Sequence, residues 1–231
     1  MSNSCSRLSF FMDIYSVFNR VLSFCWACHF SRKKKIFKDL IPEESNILDI
    51  GCGTGEILIG LNPARGLGVD ISPAMVGIAK RKIKNNRNVR FLSGDPEDLK
   101  NEIMKEKFNF ILSADTLEHL ENPALFLKTI GELAGKDSKI IIETANPLWE
   151  PILLILEKFK LKMPEGPHKR ISLKEVDNIF FRNNLKIIRK DYRLILPCYI
   201  PMISDFINAH FYKIPVLKSF GLIVFWVCRK I

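Results

Sequence analysis

The sequence predicts an α/β protein with a doubly wound, mostly parallel sheet and helices on both faces. Three observations carry this expectation. The segment Ile47–Leu58, ILDIGCGTGEIL, passes from a short apolar run through three glycines into a helical pattern at Ile57, Leu58 and Leu61. Short apolar runs recur at Gly66–Asp70, Val89–Ser93, Phe108–Ser113 and Lys139–Thr144, separated by turn residues and helix-period stretches, the alternation of a βαβ fold. With 231 residues, 47% hydrophobic and 26% charged, the chain has material for one substantial core.

Ahead of the glycine segment, residues 1–45 read as a helical cap. The stretch from Leu8 to Phe30 places Phe10, Phe11, Ile14, Val17, Phe18, Val21 and Leu22 at amphipathic helical spacing. Asp13, Asn19 and Arg20 interrupt it, and charges in mid-span are costly in a bilayer. Contact with a membrane surface fits better, with Arg32, Lys33, Lys34 and Lys35 immediately after. No secretory signal pattern is read there. Cys25 and Cys28 have C-x-x-C spacing but sit in a helical pattern without a second ligand pair, which argues against a redox or zinc role. Six cysteines without a framework suit a reducing compartment, so a cytoplasmic protein is expected, with peripheral membrane contact as a further option.

The glycine segment opens a nucleotide-binding βαβ unit, in which a tight turn lets a ligand approach the backbone. Glu56 stands where a dinucleotide fingerprint has its third glycine, and Asp49 lies at the strand tip. Two carboxylates there oppose a pyrophosphate. They suit a ligand with an adenosine at one end and positive charge at the other, as in S-adenosylmethionine (SAM).

Ile47–Leu58 resembles the first motif of class I SAM-dependent methyltransferases, and the resemblance is strong from Ile47 to Ala145. It implies a Rossmann-like sheet of seven strands, mostly parallel with the last antiparallel. Asp70 ends the second strand about 20 residues on, where an acid can accept hydrogen bonds from ribose hydroxyls. Ser72 and Pro73 then mark a helix N-cap and first turn. The run Asp70, Ser72, Met75, Ala79 matches the family pattern D-x-S-x-x-M-x-x-x-A. The family's adenine-binding acid falls on Asp95, with Glu97 and Asp98 as alternatives and Leu92, Ser93 or Pro96 beside the ring. The implied cofactor set is Asp49, Gly51, Cys52, Gly53, Gly55, Asp70, Ile71, Asp95, Pro96 and Ala114.

Ala114–Leu120 resembles the D-x-L-E-H-L stretch of small-molecule methyltransferases, at the carboxyl edge beside the reactive methyl. His119 and His168 are the candidate proton acceptors. An acid-x-x-Glu-His set holds Mg²⁺ in some small-RNA methyltransferases. Here Asp115 stands in place of their first Glu and no further histidine follows soon after, so no metal is expected. Asn122-Pro123 opens a helix to about Ala134, capped by Gly135.

Residues 46–231 form the expected methyltransferase domain, with a substrate-side insertion at about 147–171. A greasy helical segment from Trp149 to Phe159 leads to the loop MPEGPHKR, and Ser172 with Glu175 forms a capping box. The sixth strand is expected at Leu185–Leu196, a helix at about Ile203–Tyr212 and a closing strand at Gly221–Arg229.

The N-terminal region is partly similar to the leader of quinone-biosynthesis methyltransferases, although Tyr15 is followed by Ser16 and not Asp. The expected acceptor is therefore small or amphiphilic, lipid-linked or quinone-like. A net charge of +10 and a pI near 9.3 suggest an anionic partner. RNA is the second reading, through the run KRKIKNNRNVR from Lys80 to Arg90, although that run lacks aromatics to stack bases. A non-catalytic SAM-binding domain is the third.

Overall fold

A computed structural model describes residues 31–83, 88–158, 171–193, 203–210 and 214–231. The stretch Leu8–Phe30 expected as an amphipathic helix, with Cys25 and Cys28, the basic residues Lys84 and Arg87, and the segment carrying His168 lie outside the described residues.

Seven strands form one sheet: β1 (Asn46–Ile50), β2 (Arg65–Asp70), β3 (Val89–Ser93), β4 (Phe110–Ala114), β5 (Lys139–Ala145), β6 (Leu185–Arg193) and β7 (Ile223–Lys230). Their order is β3-β2-β1-β4-β5-β7-β6. All pairings among β1 to β5 are parallel, and β7 runs antiparallel to both β5 and β6. The sheet thus has the strand count and the single reversed strand that the sequence leads one to expect. The sixth strand ends at Arg193 in the described chain.

Why both faces are covered follows from the period of two. Leu48, Ile50, Ile111, Ile140, Ile142 and Trp226 belong to one buried cluster, while their neighbours Ile47, Phe110, Leu112, Ile141 and Phe225 belong to another. The first cluster is closed by α5 (Pro123–Leu133) and α7 (Leu173–Arg182), through Leu127, Ile130, Val176, Ile179 and Phe180. The second is closed by α1 (31–40), α2 (Glu56–Leu61) and α3 (Pro73–Lys82). Trp226 is fully buried under Phe180, and its Nε1 donates to Asp177 Oδ1 at 2.7 Å.

Local signals set the helix starts. Ser72, Asn122 and Ser172 each accept a hydrogen bond from the backbone N–H three residues on, at α3, α5 and α7. The stop of α5 is one residue earlier than Gly135 implies, with Ala134 as C-cap. The short α4 (Lys100–Ile103) follows the β3 loop, and α6 (Glu150–Lys158) follows a 3₁₀ turn over Pro147–Trp149. After β6 come α8 (Ile203–His210) and α9 (Pro215–Lys218). Among the described residues, no helix is long and apolar enough to cross a membrane.

Lys33 and Phe37 on α1 and Ile41 just after it recur every four residues, and all three are buried. The basic cluster Arg32–Lys35 is therefore not uniformly available to a lipid surface. Lys33 is 1% exposed, turned inward with the apolar face.

Candidate functional site

A cavity of about 690 Å³ opens at the carboxyl ends of β1, β2 and β4, the switch point where strand order reverses. Its floor is the glycine loop. Gly51 and Cys52 donate backbone N–H bonds to Val69 O at 2.8 and 3.1 Å, tying the loop to β2. The glycines serve different ends. A Cβ at Gly51 would lie 2.2 Å from Thr116 Oγ1, so the residue lets the β4 loop come close. A Cβ at Gly55 would lie 2.5 Å from the Phe91 ring and 3.2 Å from Ala79, so the residue lets α2 settle on its neighbours. At Gly53, where φ is +52°, a Cβ would meet nothing within 4 Å. Gly53 lines the cavity, so a ligand can approach its backbone there.

Asp70, at the end of β2, accepts from Gly53 N–H at 2.7 Å on one oxygen and from Ser72 N–H at 2.9 Å on the other. Its carboxylate braces the loop and still has lone pairs to offer a ligand, since an ionised carboxyl accepts about four bonds. Asp95 accepts from Glu97 N–H at 2.8 Å and lines the cavity, as does Glu97, whereas Asp98 does not. Glu97 is itself engaged by the hydroxyl of Thr129.

Of the expected cofactor residues, Gly51, Cys52, Gly53, Asp70, Ile71, Asp95, Pro96 and Ala114 all line this one cavity. Asp49 and Gly55 do not. Strand alternation puts Asp49 beneath the loop, 2% exposed, and Gly55 is occupied in packing. Burial, with the nearby charge of Asp70, pushes the Asp49 carboxyl up to about 7. Burial also raises the Cys52 thiol, so it is no nucleophile. Glu56 lines the cavity but is paired with Lys82 Nζ, which also donates to Thr54 O at 3.1 Å. The opposition to phosphate therefore comes chiefly from Asp70.

The opposite wall carries His119, Thr116 and Asp115. Asp115 has a left-handed backbone, φ +49°, and is 46% exposed. The sequence reading missed what holds it. Lys33 Nζ, from α1, bonds both Asp115 oxygens and donates to Glu143 Oε2 on β5 at 2.9 Å. Glu118 sits close by and accepts from Thr144 Oγ1 at 2.7 Å. Burial works to lower the Lys33 pKa, but the charges of Asp115 and Glu143 outweigh it and hold the ammonium above the ordinary lysine range. Burial, then the charge of Asp115, raises Glu143 to about 8 and pushes Glu118 upward as well. The four-residue period of Lys33, Phe37 and Ile41 was the available signal for this inward lysine. Among the described residues, no group of three or more His, Cys, Asp and Glu is placed to hold a metal ion.

SAM fits this arrangement. The space before Gly53 would take its amino-acid end, Asp70 and Asp95 offer acceptors for the nucleoside, and Ile71 and Met75, 72% and 44% exposed, are apolar groups a ring would cover.

Comparison with known proteins agrees. The chain is 30% identical over 160 residues to a ubiquinone biosynthesis O-methyltransferase of Bartonella tribocorum, covering 64% of each. It is 31% identical over 170 residues to a malonyl-[acyl-carrier protein] O-methyltransferase of Ilyobacter polytropus, covering 66% of this chain and 62% of that one. In both cases it spans somewhat under two thirds of the relative's length. A SAM-dependent methyltransferase structure from Thermotoga maritima shares the fold at a TM-score of 0.63, with 20% identity and 96% of each chain covered. Residues 27–190 match the methyltransferase domain family, and the chain belongs to that family, among the class I SAM-dependent methyltransferases.

Proposed function

We propose that the protein transfers a methyl group from SAM to a small amphiphilic acceptor, lipid-linked or quinone-like, in the cytoplasm at a membrane face. One observation carries the reading: a single cavity gathers the open glycine at residue 53, the acids at 70 and 95 and an apolar mouth. SAM supplies an electrophilic methyl on a sulfonium when bound there. The chain's part is to hold two molecules in line and to keep water from between them. Asp70 and Asp95 orient the nucleoside, the glycine loop takes the amino-acid end, and the wall of Asp115, Thr116 and His119 faces the acceptor. His119 lines the cavity and is the candidate proton acceptor among the described residues.

The amphiphilic acceptor is supported by the relatives' names and by exposed apolar side chains near the β5–β7 end of the sheet. Trp149 Nε1 donates to Phe220 O at 2.7 Å, which brings exposed Leu148 and Ile152 near exposed Phe220 and Val216. Such a patch favours contact with lipid over water. The RNA reading is weakened by internal pairing within the basic run: Lys82 engages Glu56, and Arg90 engages Glu106 and Glu102.

Calorimetry tests the cofactor. S-adenosylhomocysteine is expected to bind and NAD not to bind, and Asp70→Ala should weaken binding by about 1.5–3 kcal/mol through lost bonds to a charged acceptor. Labelled SAM should then mark a lipid fraction of a cell extract. Labelling of RNA that weakens steeply with salt would replace this acceptor with nucleic acid.

A further inference from the structure

The cavity wall contrasts with the rest of the chain. The protein carries a net charge of +10, yet the carboxylate and imidazole side chains lining the cavity are Glu56, Asp70, Asp95, Glu97, Asp115 and His119, with no lysine or arginine among the described lining residues. The first four lie on the glycine-loop and nucleoside side, and Glu56 is already paired. On the acceptor side the charged group at the surface is Asp115.

The fold invests heavily in this one carboxylate. It sits on a left-handed backbone that disfavours a residue with a Cβ. A fully buried lysine is brought from α1 to grip both its oxygens. The same ammonium donates to buried Glu143, whose other oxygen, Oε1, has no hydrogen-bond partner among the described residues. Were Lys33 present only to neutralise Glu143, a second bond to that orphaned oxygen would be the better use of it. Its remaining reach goes to Asp115 instead.

Resting on the methyltransferase reading above, we propose that Asp115 is the acceptor-binding group, that it takes a hydrogen bond from a neutral hydroxyl of the acceptor, and that Lys33 is the residue that positions it. The chemistry follows from the wall. A hydroxyl brings a donor to a fixed carboxylate, a charge-assisted bond. An acceptor presenting a carboxylate brings like charge to the same place, with no described cation at the surface to receive it. Of a neutral hydroxyl and a free acid, the hydroxyl fits this wall and the free acid does not. Lys33 cannot serve as that cation, because it is buried behind Asp115 and already engaged with Asp115 and Glu143.

The test uses the full-length protein saturated with S-adenosylhomocysteine and two probes with the same alkyl tail, a catechol and a malonate half-ester. Calorimetry should show the catechol binding about tenfold or more tightly than the half-ester, the scale of one hydrogen bond to a charged group. Asp115→Asn should erase that preference while leaving S-adenosylhomocysteine affinity within about twofold. Lys33→Met should weaken the catechol similarly. Because Lys33→Met strands a buried carboxylate and can unfold, the paired variant Lys33→Met/Glu143→Gln is the decisive one. It should regain thermal stability without regaining catechol affinity. Recovery of catechol binding in the paired variant would show that Lys33 only balances Glu143, and the positioning role would fall. Tighter binding of the half-ester than of the catechol would overturn the hydroxyl assignment. Failure of S-adenosylhomocysteine to bind the parent protein would defeat the methyltransferase reading itself, and this inference with it.

Discussion

Under the glycine loop, Asp70 takes its hydrogen bonds from Gly53 and Ser72, 17 and 2 residues away. Across the cavity, Asp115 is held by an ammonium 82 residues upstream, and the same ammonium reaches Glu143, 110 residues from it. The near wall is braced by backbone N–H groups of a strand-turn-helix unit, which exist wherever that unit forms. On the far wall, Asp115 meets the Lys33 ammonium only when α1 has docked against β4 and β5. A carboxylate fixed by neighbouring N–H groups needs no buried countercharge. One fixed by a lysine carries the desolvation of both ions, so its support is strong only while every partner is present.

That contrast sets the order of the effects of mutation. Lys33→Met should be the most damaging single change, costing about 3–5 kcal/mol, because it leaves Glu143 buried without its partner. Urea unfolding measures this, and a loss below 1 kcal/mol would mean that the far wall does not depend on the ion pair. Next come two glycines of the near wall. Gly55→Ala drives a Cβ into Phe91 at a positive φ and should cost about 2–4 kcal/mol of stability. Gly53→Ala meets no neighbour, so it should cost less stability and more S-adenosylhomocysteine affinity. Equal stability losses at the two positions would break the distinction between packing glycine and ligand glycine.

The smallest effect depends on pH. Burial lifts the Asp49 carboxyl from 3.8 to about 7, so the folded chain keeps a proton that the unfolded chain has already lost in that interval. Stability from this group is present below about pH 4 and is lost as pH rises through 7. Asp49→Asn, which cannot ionise, should therefore gain on the parent by on the order of 2–3 kcal/mol between pH 5 and pH 8. Melting curves at the two pH values decide it. A parent that gains stability over the same interval, relative to Asp49→Asn, would show that Asp49 is ionised in the fold.

The same division explains what could be read from residues alone. β1, its glycine turn, Asp70 and the Ser72 cap are neighbours in sequence, and their chemistry is local, so the near half of the site was legible. Asp95 was separable from Asp98 only in three dimensions, because both follow Gly94 within a few positions. Lys33 lies in a run of four basic residues that reads as a solvated patch. Only its register with Phe37 and Ile41 hints otherwise, and no local rule names Asp115 and Glu143 as its partners. The packing role of Gly55 is hidden for a related reason: the turn motif marks a glycine, but the ring it packs against comes from β3.

The reversed strand has a consequence for how the chain is made. Strand β6 is hydrogen-bonded into the sheet only through β7, which follows it in the chain and lies between it and β5. On a ribosome, β1 to β5 can register in order of emergence, each beside a strand already laid down. Strand β6 cannot: when it appears, its place is one strand-width away from the growing edge at β5. Until Ile223–Lys230 emerges to fill the gap, the open edge of β5 and the apolar face that Trp226 will cover remain as surface for whatever accompanies the nascent chain.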